Sequence, residues 1–432
     1  MDSGVSLQQA ARLTSGAGRS TLSPLAYPYR VTGPLDLTAL HDALREVVQR
    51  HTSLRTVFPE DEQGRIRVVE AKDADVPMTV ENTGPLTDEE VYDFVGRQLD
   101  AGVDVRHGPM LRASALTISP ENHIVVFVVD HVAYDGVSHA RVQTELAKLY
   151  QARISGHPDW RTAAGPVPAP YEEFCQEQRT AIEGAWGERC RRYWYGQFAA
   201  FDHYPPGGRA PTTDGPVPVA PPPLPDMVRR VVHQVPPERL AAVRAAARAA
   251  AATPFSAWAT LLLQTMDRLG APVRGLVTDV SGRIWPSYGS TVGLFAHGLP
   301  IYANVPHTMP AEQAIAAVYG NLEAAVQHAL PLRELSRDWL AESGRTDGVV
   351  DRRPFIHFLD ETIWRFDRTF GPVRFEYFES HGPFAARSGG AAMLGVKLEQ
   401  AGRDVYLTLQ ADARVNDHAM MKEIASQLIG IT

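Results

Sequence analysis

Residues 128–138 read VVDHVAYDGVS, and this stretch indicates the fold more strongly than any other. It closes an apolar, β-branched run at 123–130 that is typical of a buried strand, and a helical pattern follows over 138–154. His131 therefore stands directly after a strand, where a rigid scaffold can hold a reactive side chain. Because the pKa of histidine lies near neutral pH, His131 is a candidate general base; a hydrogen-bonded structural histidine is the other interpretation.

The polar residues around His131 indicate how the turn is supported. Asp135, four residues later, can orient the imidazole or brace the loop, and Gly136 lets a substrate or another backbone approach closely. Neighbouring residues of an extended strand point to opposite faces, so Asp130 should face the interior if His131 faces a binding site. Asp130 would then accept hydrogen bonds from backbone N–H groups. The alternative is that Asp130 faces the site and raises the pKa of His131.

Helical and extended patterns alternate through the rest of the chain. The apolar residues of LTALHDALREVVQR, for example, fall on one helical face. This alternation predicts an α/β protein built of two sandwiches of mixed sheets. The predicted helices cover 37–50, 87–99, 138–154, 171–198, 236–252, 253–269, 310–328 and 417–429, and the predicted strands cover 65–70, 110–118, 123–130, 228–235, 276–280, 298–305, 353–359, 373–379, 394–399 and 405–412.

The chain is long enough for two domains. At 432 residues it exceeds the usual size of one hydrophobic core, and prolines crowd the stretch 165–225, as in GPVPAP and APPPLP. Proline density of this kind indicates an extended connection between domains. We therefore predict an N-terminal lobe over 1–178, a Pro-rich connection over 179–225 and a C-terminal lobe over 226–432.

Composition and charge argue against several classes of function. The net charge is −8 and no Lys/Arg-rich run occurs, so nucleic acid is not an expected partner. The N-terminus does not resemble a signal peptide and no apolar run approaches ~20 residues, so we expect a cytoplasmic protein without a membrane segment. Cys175 and Cys190 form no CxxC motif and are expected to be free thiols. The scattered histidines show no metal-ligand spacing, so no metal is expected.

Several stretches, in order along the chain, resemble the motifs of one superfamily. DHVAYDGVS resembles the HHxxxDG signature of nonribosomal peptide condensation domains and related acyltransferases. RHTSLRTVF at 50–58 fits the RHxxLRTxF element of that superfamily, and VGLF at 292–295 fits its VGxF element. YEEF at 171–174 and the Tyr-Trp pair at 193–194 are similar to further motifs. Since the series spans nearly the whole chain, the chain is identified as a member of the condensation-domain superfamily.

This resemblance implies a fold and a set of residue roles. The fold would be α/β, with two chloramphenicol-acetyltransferase-like lobes in a V-shaped pseudo-dimer and a central tunnel. His131 stands at the second signature histidine and would be the catalytic residue, and Asp130 replaces the first signature histidine, a supporting position. Asp135 would point away from the tunnel and pair with Arg283. Gly136 would complete the structural support of the motif.

Two further residues are candidates for contact with the substrate. Ser138 directly follows the signature. His297 follows the VGLF element, where the superfamily usually has an Asn-Thr pair. It either faces the tunnel and alters the choice of acceptor or merely fills space.

The activity implied by the resemblance is acyl transfer. The donor would be an acyl or aminoacyl thioester on the phosphopantetheine arm of a carrier protein, or on CoA, and His131 would take a proton from an amine or alcohol acceptor. No permanently bound cofactor is implied. The expected partners are an acyl or peptidyl carrier protein and a small-molecule acceptor, and the protein is expected to be a free-standing monomer.

Two alternative functions remain open from the sequence. One is a condensation-like domain that has lost activity and recruits a partner protein, because altered signatures such as Asp130 accompany that role. The other is an enzyme that uses His131 for cyclisation or elimination on a carrier-bound chain. The sequence does not identify the donor or the acceptor, nor whether the product is an ester or an amide.

Overall fold

Two six-stranded sheets organise the chain, each within its own unit. The first unit comprises Met1–Glu183, Ser281–Ala296 and Trp364–Ser380. The second comprises Gly184–Val280, His297–Ile363 and His381–Thr432. The computed structural model describes residues 4–15, 23–71, 75–202, 228–331, 356–360, 367–378, 394–401, 403–412 and 418–430.

The sheet of the first unit has the strand order β11-β12-β1-β6-β5-β4. Strand β1 pairs antiparallel with both β6 and β12, β5 pairs antiparallel with β6, and β4 runs parallel to β5. A short two-stranded sheet, β2 with β3, accompanies it. The strands are β1 (Pro24–Thr32), β2 (Thr56–Val57), β3 (Val69–Glu70), β4 (Met78–Asn82), β5 (Leu111–Ser119), β6 (Asn122–Asp130), β11 (Arg368–Phe370) and β12 (Val373–Tyr377).

Helices α2 and α4 pack on each other and contribute to the core of the first unit. The apolar stripe of α2 is buried as its sequence predicts, with Leu40, Leu44 and Val47 fully enclosed. Strand β6 is buried at every position after its first residue, which explains its continuous apolar sequence. The helices of this unit are α1 (Leu7–Ser15), α2 (Leu37–Arg50), α3 (Asp88–Ala101), α4 (Gly136–Ile154) and α5 (Tyr171–Glu183).

The sheet of the second unit has the strand order β7-β14-β13-β10-β8-β9. Strand β10 runs parallel to β13 and β8, and the other neighbouring strands are antiparallel. The strands are β7 (Val228–Gln234), β8 (Gly275–Val280), β9 (His297–Tyr302), β10 (Ile356–Asp360), β13 (Leu394–Ala401) and β14 (Asp404–Asp412). The helices are α6 (Ala185–Asp202), α7 (Pro237–Ala249), α8 (Pro254–Arg268), α9 (Ala311–Gln327) and α10 (His418–Ile429).

The two sheets repeat one topology. The first contains β1-β6-β5-β4, in which only the last pair is parallel, and the second contains β7-β14-β13-β10 with the same directions. In each unit the central hairpin, β5–β6 or β13–β14, leads into a helix, α4 or α10. The connection from β6 to α4 carries the predicted signature motif, so this strand-to-helix turn of the first unit is the feature that positions the candidate site.

Most of the predicted elements are present, and the exceptions have physical causes. The predicted strand over 65–70 contracts to Val69–Glu70, with a single additional bridge at Ile66. Strand β1 was not predicted, because Pro24 and Pro28 lack the N–H that a strand ladder needs. It nonetheless lies between β6 and β12, and its pairing with β12 begins at the residue after Pro28. The helix predicted over 171–198 is divided into α5 and α6.

The first unit includes two segments from the second half of the chain, which chain order does not indicate. Strands β11 and β12 occur in the last quarter of the sequence, yet β12 pairs with β1 and thereby joins the sheet of the first unit. Residues 281–296, which contain Arg283 and the VGLF element, also belong to the first unit. Of the predicted Pro-rich connection over 179–225, residues 203–225 lie outside the described residues, residues 179–183 belong to α5 and residues 185–202 belong to α6.

Candidate active site

The turn between β6 and α4 holds His131 by its backbone. The N–H of His131 donates to the carbonyl of Ser23 at 2.9 Å, and the N–H of Ala133 donates to the carbonyl of Asp130 at 3.1 Å. The N–H of Tyr134 donates to the carbonyl of His131 at 3.4 Å, which closes a tight turn. The half-buried imidazole therefore extends from a rigid segment of chain.

The orientation of the His131 ring defines its tautomer. Its Nδ1 atom lies 2.6 Å from the backbone carbonyl oxygen of Tyr134. A carbonyl oxygen can only accept a hydrogen bond, so Nδ1 must carry the proton. In the neutral imidazole the lone pair then lies on Nε2, which makes Nε2 the basic nitrogen. A base oriented in this way can take a proton from an attacking amine or hydroxyl.

Asp130 faces the interior of the first unit, as strand alternation predicts. Its carboxylate is fully buried and accepts two backbone hydrogen bonds, from the N–H of Val132 to Oδ1 and from the N–H of Ser23 to Oδ2, each 2.9 Å long. These bonds join both flanks of the turn to the end of β6. The geometry supports a structural role for Asp130 and not contact with a cationic acceptor.

Asp135 and Arg283 form the ion pair that the resemblance implies. Nη1 of Arg283 lies 2.9 Å from Oδ2 of Asp135, and Nη2 lies 3.2 Å from Oδ1, which is a bidentate contact. The two side chains are only 7% and 1% exposed, so solvent screens the pair little. The guanidinium also lies over the ring of Phe295, 4.1 Å from its centroid.

The carboxylate of Asp135 has further partners. Oδ1 caps helix α4 by accepting from the N–H of Ser138 at 2.8 Å, and Oδ2 accepts from the N–H groups of Phe295 and Ala296 at 3.0 and 3.2 Å. Burial favours a raised pKa for Asp135, but the charge of Arg283 and these hydrogen bonds outweigh it and hold the pKa below its usual value. Asp135 is therefore an ionised brace for the loop at neutral pH.

The structure places Ser138 in this brace, whereas the sequence made it a candidate for substrate contact. Its hydroxyl is fully buried, donates to the carbonyl of Gly293 at 2.9 Å, and accepts from the N–H of Gly293 and Nη2 of Arg283, each at 3.0 Å. One donor and two acceptor positions exhaust the bonding capacity of a hydroxyl. Ser138 therefore joins α4 to the VGLF segment.

The VGLF segment packs closely enough to require its glycine. A Cβ atom on Gly293 would overlap the ring of Tyr171, the first residue of α5. The hydroxyl of Tyr171 in turn donates to the carbonyl of Leu294. This explains why YEEF and VGLF occur together, since both hold the side of the loop that contains Asp135.

Two other family-like motifs form a second buried network in the first unit. Nε of Arg50 and Nε2 of His51 lie 2.9 and 3.1 Å from one oxygen of Glu145 on α4. The hydroxyls of Thr52 and Thr56 donate to the carboxylate of Glu172, at 2.7 and 3.1 Å. Thus RHTSLRTVF and YEEF connect α2, α4 and α5, and their role is structural.

The remaining predicted residues are placed as follows. Gly136 is the first residue of α4, so its backbone N–H lies in the first turn, where helical N–H groups have no partner within the helix. His297 is the first residue of β9 in the second unit, where it is half-buried and pairs with Val280 of β8. Cys175 and Cys190 are buried and not bonded to each other, and burial raises the pKa of both thiols, to about 11 for Cys190.

Sequence reasoning missed the contribution of α1. Nε2 of Gln9 donates to the carbonyl of Val132 at 3.0 Å, and Nε2 of Gln8 donates to the carbonyl of Phe295 at 3.0 Å. Both glutamines are buried. Two adjacent glutamines in an amphipathic segment near the N-terminus were the available signal, but polar residues in a helix are more often exposed.

Residues 25–351, more than half of the chain, match the family model described as "Condensation domain". A stretch of 343 residues is 26% identical to Isonitrile lipopeptide synthase of Mycobacterium tuberculosis, covering 78% of this chain and 13% of that protein. A stretch of 178 residues is 32% identical to Nonribosomal peptide synthetase kk1B of Curvularia clavata, covering 41% of this chain and 1% of that protein. The chain thus spans a small part of the length of both relatives.

Solved structures share the fold. The condensation domain from Monacolin K polyketide synthase MokA has a TM-score of 0.78 at 18% identity, with 99% of this chain and 96% of that chain covered. The X-domain in a complex of the X-domain and OxyB from teicoplanin biosynthesis has a TM-score of 0.74 at 19% identity, with 99% and 92% covered. These likenesses confirm the predicted α/β fold class. The predicted V-shaped arrangement of the lobes and the tunnel stay predictions.

The described residues contain neither a membrane-spanning helix nor a potential metal site. Within them, no helix is both long enough and apolar enough to cross a membrane. No group of three or more His, Cys, Asp or Glu side chains lies together there as a potential metal site.

Proposed function

The chain belongs to the condensation-domain family, and from that premise we propose that it transfers an acyl or aminoacyl group from a thioester to an amine or hydroxyl acceptor. The observation that carries this proposal is the hydrogen bond between Nδ1 of His131 and the carbonyl of Tyr134, because it leaves Nε2 as the basic nitrogen. The proposed setting is natural-product biosynthesis, in keeping with the peptide synthetases that the chain resembles.

The proposed reaction proceeds by direct transfer. Nε2 of His131 takes a proton from the acceptor while its nitrogen or oxygen attacks the carbonyl carbon of the thioester. The tetrahedral intermediate then collapses, the C–S bond breaks, and the leaving thiolate takes the proton from His131. General-base assistance of this kind contributes on the order of 10²–10⁴-fold to the rate. We assign the N–H of Gly136, in the first turn of α4, to stabilisation of the oxyanion.

The surroundings of His131 support the assignment of roles. The carboxylates of Asp130 and Asp135 accept hydrogen bonds from the backbone or pair with Arg283, so both serve the loop. Neither carboxylate is oriented by its contacts toward proton transfer. Of the three titratable side chains in the DHVAYD stretch other than tyrosine, His131 is the one suited to act as the base.

The donor proposed is a thioester on the phosphopantetheine arm of an acyl or peptidyl carrier protein, or on CoA. The synthetases among the relatives are much longer than this chain, so a carrier protein is a partner that the family resemblance favours. The arm and its thioester are substrates, and no resident cofactor is part of the proposed reaction.

A recruiting function is the second candidate, and one observation favours it. Asp130 replaces the first signature histidine, and the fold is shared with an X-domain that was solved in complex with OxyB. Asp130, however, occupies a fully satisfied structural position, so its presence does not disturb His131. The intact hydrogen bond of His131 and the intact brace at Asp135 support transfer over recruitment.

A thiol-release assay tests the proposal. The purified chain is mixed with acyl and aminoacyl thioesters of CoA and of a loaded carrier protein, with and without a panel of amines and alcohols. Transfer predicts that thiol release depends on the acceptor and that mass spectrometry detects the corresponding amide or ester. Thiol release that is the same with and without acceptors contradicts transfer, and binding of a partner protein without turnover supports recruitment.

A further inference from the structure

We propose that a buried cluster of Tyr27, Tyr29, Tyr134 and His139 positions the imidazole of His131 for proton transfer. This inference deepens the proposed function and rests on it. Tyr27 and Tyr29 lie on β1, Tyr134 lies in the turn after β6, and His139 lies in the first turns of α4. The four side chains are at most 8% exposed, so none is placed to touch a substrate; we name them positioning residues.

The centre of the cluster is His139, which joins two tyrosine hydroxyls. Its Nε2 atom lies 2.6 Å from the hydroxyl oxygen of Tyr29, and its Nδ1 atom lies 3.1 Å from the hydroxyl oxygen of Tyr134. In a neutral imidazole one nitrogen donates and the other accepts, and a phenol can do either. One tyrosine hydroxyl therefore donates a hydrogen bond to the neutral ring, and the other accepts one from it. Each of the three polar groups thus has a hydrogen-bond partner without a buried charge.

The cluster is held electrically neutral and closely packed. Burial lowers the pKa of His139 well below its usual value, and the charge of Arg368 acts in the same direction. Burial likewise raises the pKa values of Tyr29 and Tyr134. The ring of Tyr27 stacks on His139 with 3.5 Å between centroids and 11° between planes, so the imidazole has little freedom to rotate.

Tyr134 connects this cluster to His131, because its side chain contacts the cluster and its backbone carbonyl contacts His131. Its hydroxyl is bound by His139, and its ring packs edge-on against His139 and Tyr27. Its backbone carbonyl is the acceptor for Nδ1–H of His131. A fixed Tyr134 side chain therefore fixes the carbonyl that selects the tautomer of His131. The Asp135 brace acts on the following residue, so the two supports hold adjacent parts of the loop.

The test measures the tautomer of His131 directly. ¹⁵N NMR of the full chain, labelled at histidine, distinguishes a protonated from an unprotonated ring nitrogen, and His131→Asn assigns the resonances. Wild type should show protonated Nδ1 and unprotonated Nε2 in neutral His131. In Tyr134→Phe, which retains the ring but removes the hydroxyl, the second tautomer should appear. With a thioester and acceptor that wild type uses, kcat should fall about 10-fold at unchanged KM, which is part of the 10²–10⁴-fold that general-base assistance contributes.

Two further variants keep the inference testable. Tyr29→Phe removes the other hydroxyl bound by His139 and should show the same tautomer shift to a smaller degree, including when Tyr134→Phe folds poorly. Tyr150→Phe is the matched control, because Tyr150 is equally buried in the first unit but its hydroxyl accepts from the N–H of Asp36. It should leave the tautomer of His131 unchanged.

The outcomes separate this inference from the proposed function. A wild-type tautomer in both Tyr134→Phe and Tyr29→Phe overturns the inference, even if both variants unfold at lower temperature, because the cluster then only stabilises the fold. A shifted tautomer supports it whether or not turnover changes. If turnover survives in His131→Asn while the tautomer shifts in Tyr134→Phe, the proposed function fails and the positioning stands.

Discussion

Strands β6 and β14 correspond in the two copies of one sheet topology, and each is followed along the chain by a helix, α4 or α10. Between β6 and α4 the chain reads HVAYD, and between β14 and α10 it reads ARVND. Each stretch follows an aspartate that ends the strand, and each closes with an aspartate before the helix. The first alone begins with a histidine, His131, and alone leads into a glycine, Gly136. The sheet topology is thus repeated, whereas the proposed chemistry depends on a few residues of one copy.

Removal of Asp135 should produce the largest loss of stability that distinguishes the two connections. Asp135→Ala leaves the buried Arg283 without its partner and removes the cap of α4, so the free energy of unfolding should fall by about 3–5 kcal/mol. Urea unfolding measures it. Asp36→Ala is the control for capping alone, since exposed Asp36 caps α2 by one backbone bond, and should cost about 1 kcal/mol.

Asp417 precedes α10 in the sequence as Asp135 precedes α4. Asp417→Ala should leave the rate of transfer near that of wild type, because the proposed base, His131, precedes α4 and not α10. Asp135→Ala should lower the rate strongly. Equal losses of rate in the two variants would show that the residues before α4 have no special role in transfer.

Gly293→Ala should cause the next largest loss of stability, because it pushes the VGLF segment away from the loop that contains Asp135. The added Cβ would meet the ring of Tyr171, and overpacking of this kind costs about 1–3 kcal/mol. Gly320→Ala in the second unit is the matched control, since nothing lies within 4 Å of its Cβ and alanine favours a helix. Thermal unfolding should show loss in the first variant only; an unperturbed Gly293→Ala protein contradicts the close packing described.

Asp130→Asn should reduce stability by about 1–3 kcal/mol, since an amide accepts on one atom only and leaves one backbone N–H of the turn without a partner. The pH–rate profile of transfer should keep the apparent pKa of the base. A clear downward shift of that pKa with unchanged thermal stability would show instead that Asp130 acts on His131 through its charge.

Low pH should destabilise the first unit, by less than the substitutions above. The pKa values of Asp135 and Glu145 are held below their usual values, for Glu145 because the hydrogen bonds and charges of His51 and Arg50 outweigh burial. Their contributions are present above the unfolded-state pKa of about 4 and are lost as pH falls through the lower folded-state values. Urea midpoints should therefore fall steeply below pH 4. Glu145→Gln should flatten this dependence, and an unchanged slope would contradict it.

The sequence predicts the scaffold better than it predicts the site. Helix α2 begins and ends at the predicted residues because its apolar stripe has an unambiguous period. The strand over 123–130 is equally clear from its β-branched run. The membership of strands β11 and β12 in the first sheet was harder to predict, since only three-dimensional pairing shows that they extend this sheet through β1.

Some parts of the candidate site could likewise be predicted from the sequence, and others could not. His131 and Asp135 are recognisable from their spacing, but the pairing of Asp135 with Arg283 came from family resemblance and joins residues 148 positions apart. The contact between Tyr29 and His139 could not be predicted, because a hydrophobic pattern does not reveal which strand faces the buried side of α4. Ser138 was misjudged for the same reason, since its partner Gly293 is distant in sequence.

Single-turnover transfer by His131→Asn measures whether His131 is the base for transfer. Asparagine retains an amide donor for the carbonyl of Tyr134 but lacks the basic nitrogen. The control is His123→Gln at the opposite end of β6, where the imidazole contacts Thr117 and Pro120. If His131 is the base, the rate should fall on the order of 10²–10⁴-fold in His131→Asn and should stay near that of wild type in His123→Gln. A folded His131→Asn protein that transfers the acyl group at a near-wild-type rate would show that His131 is not the base.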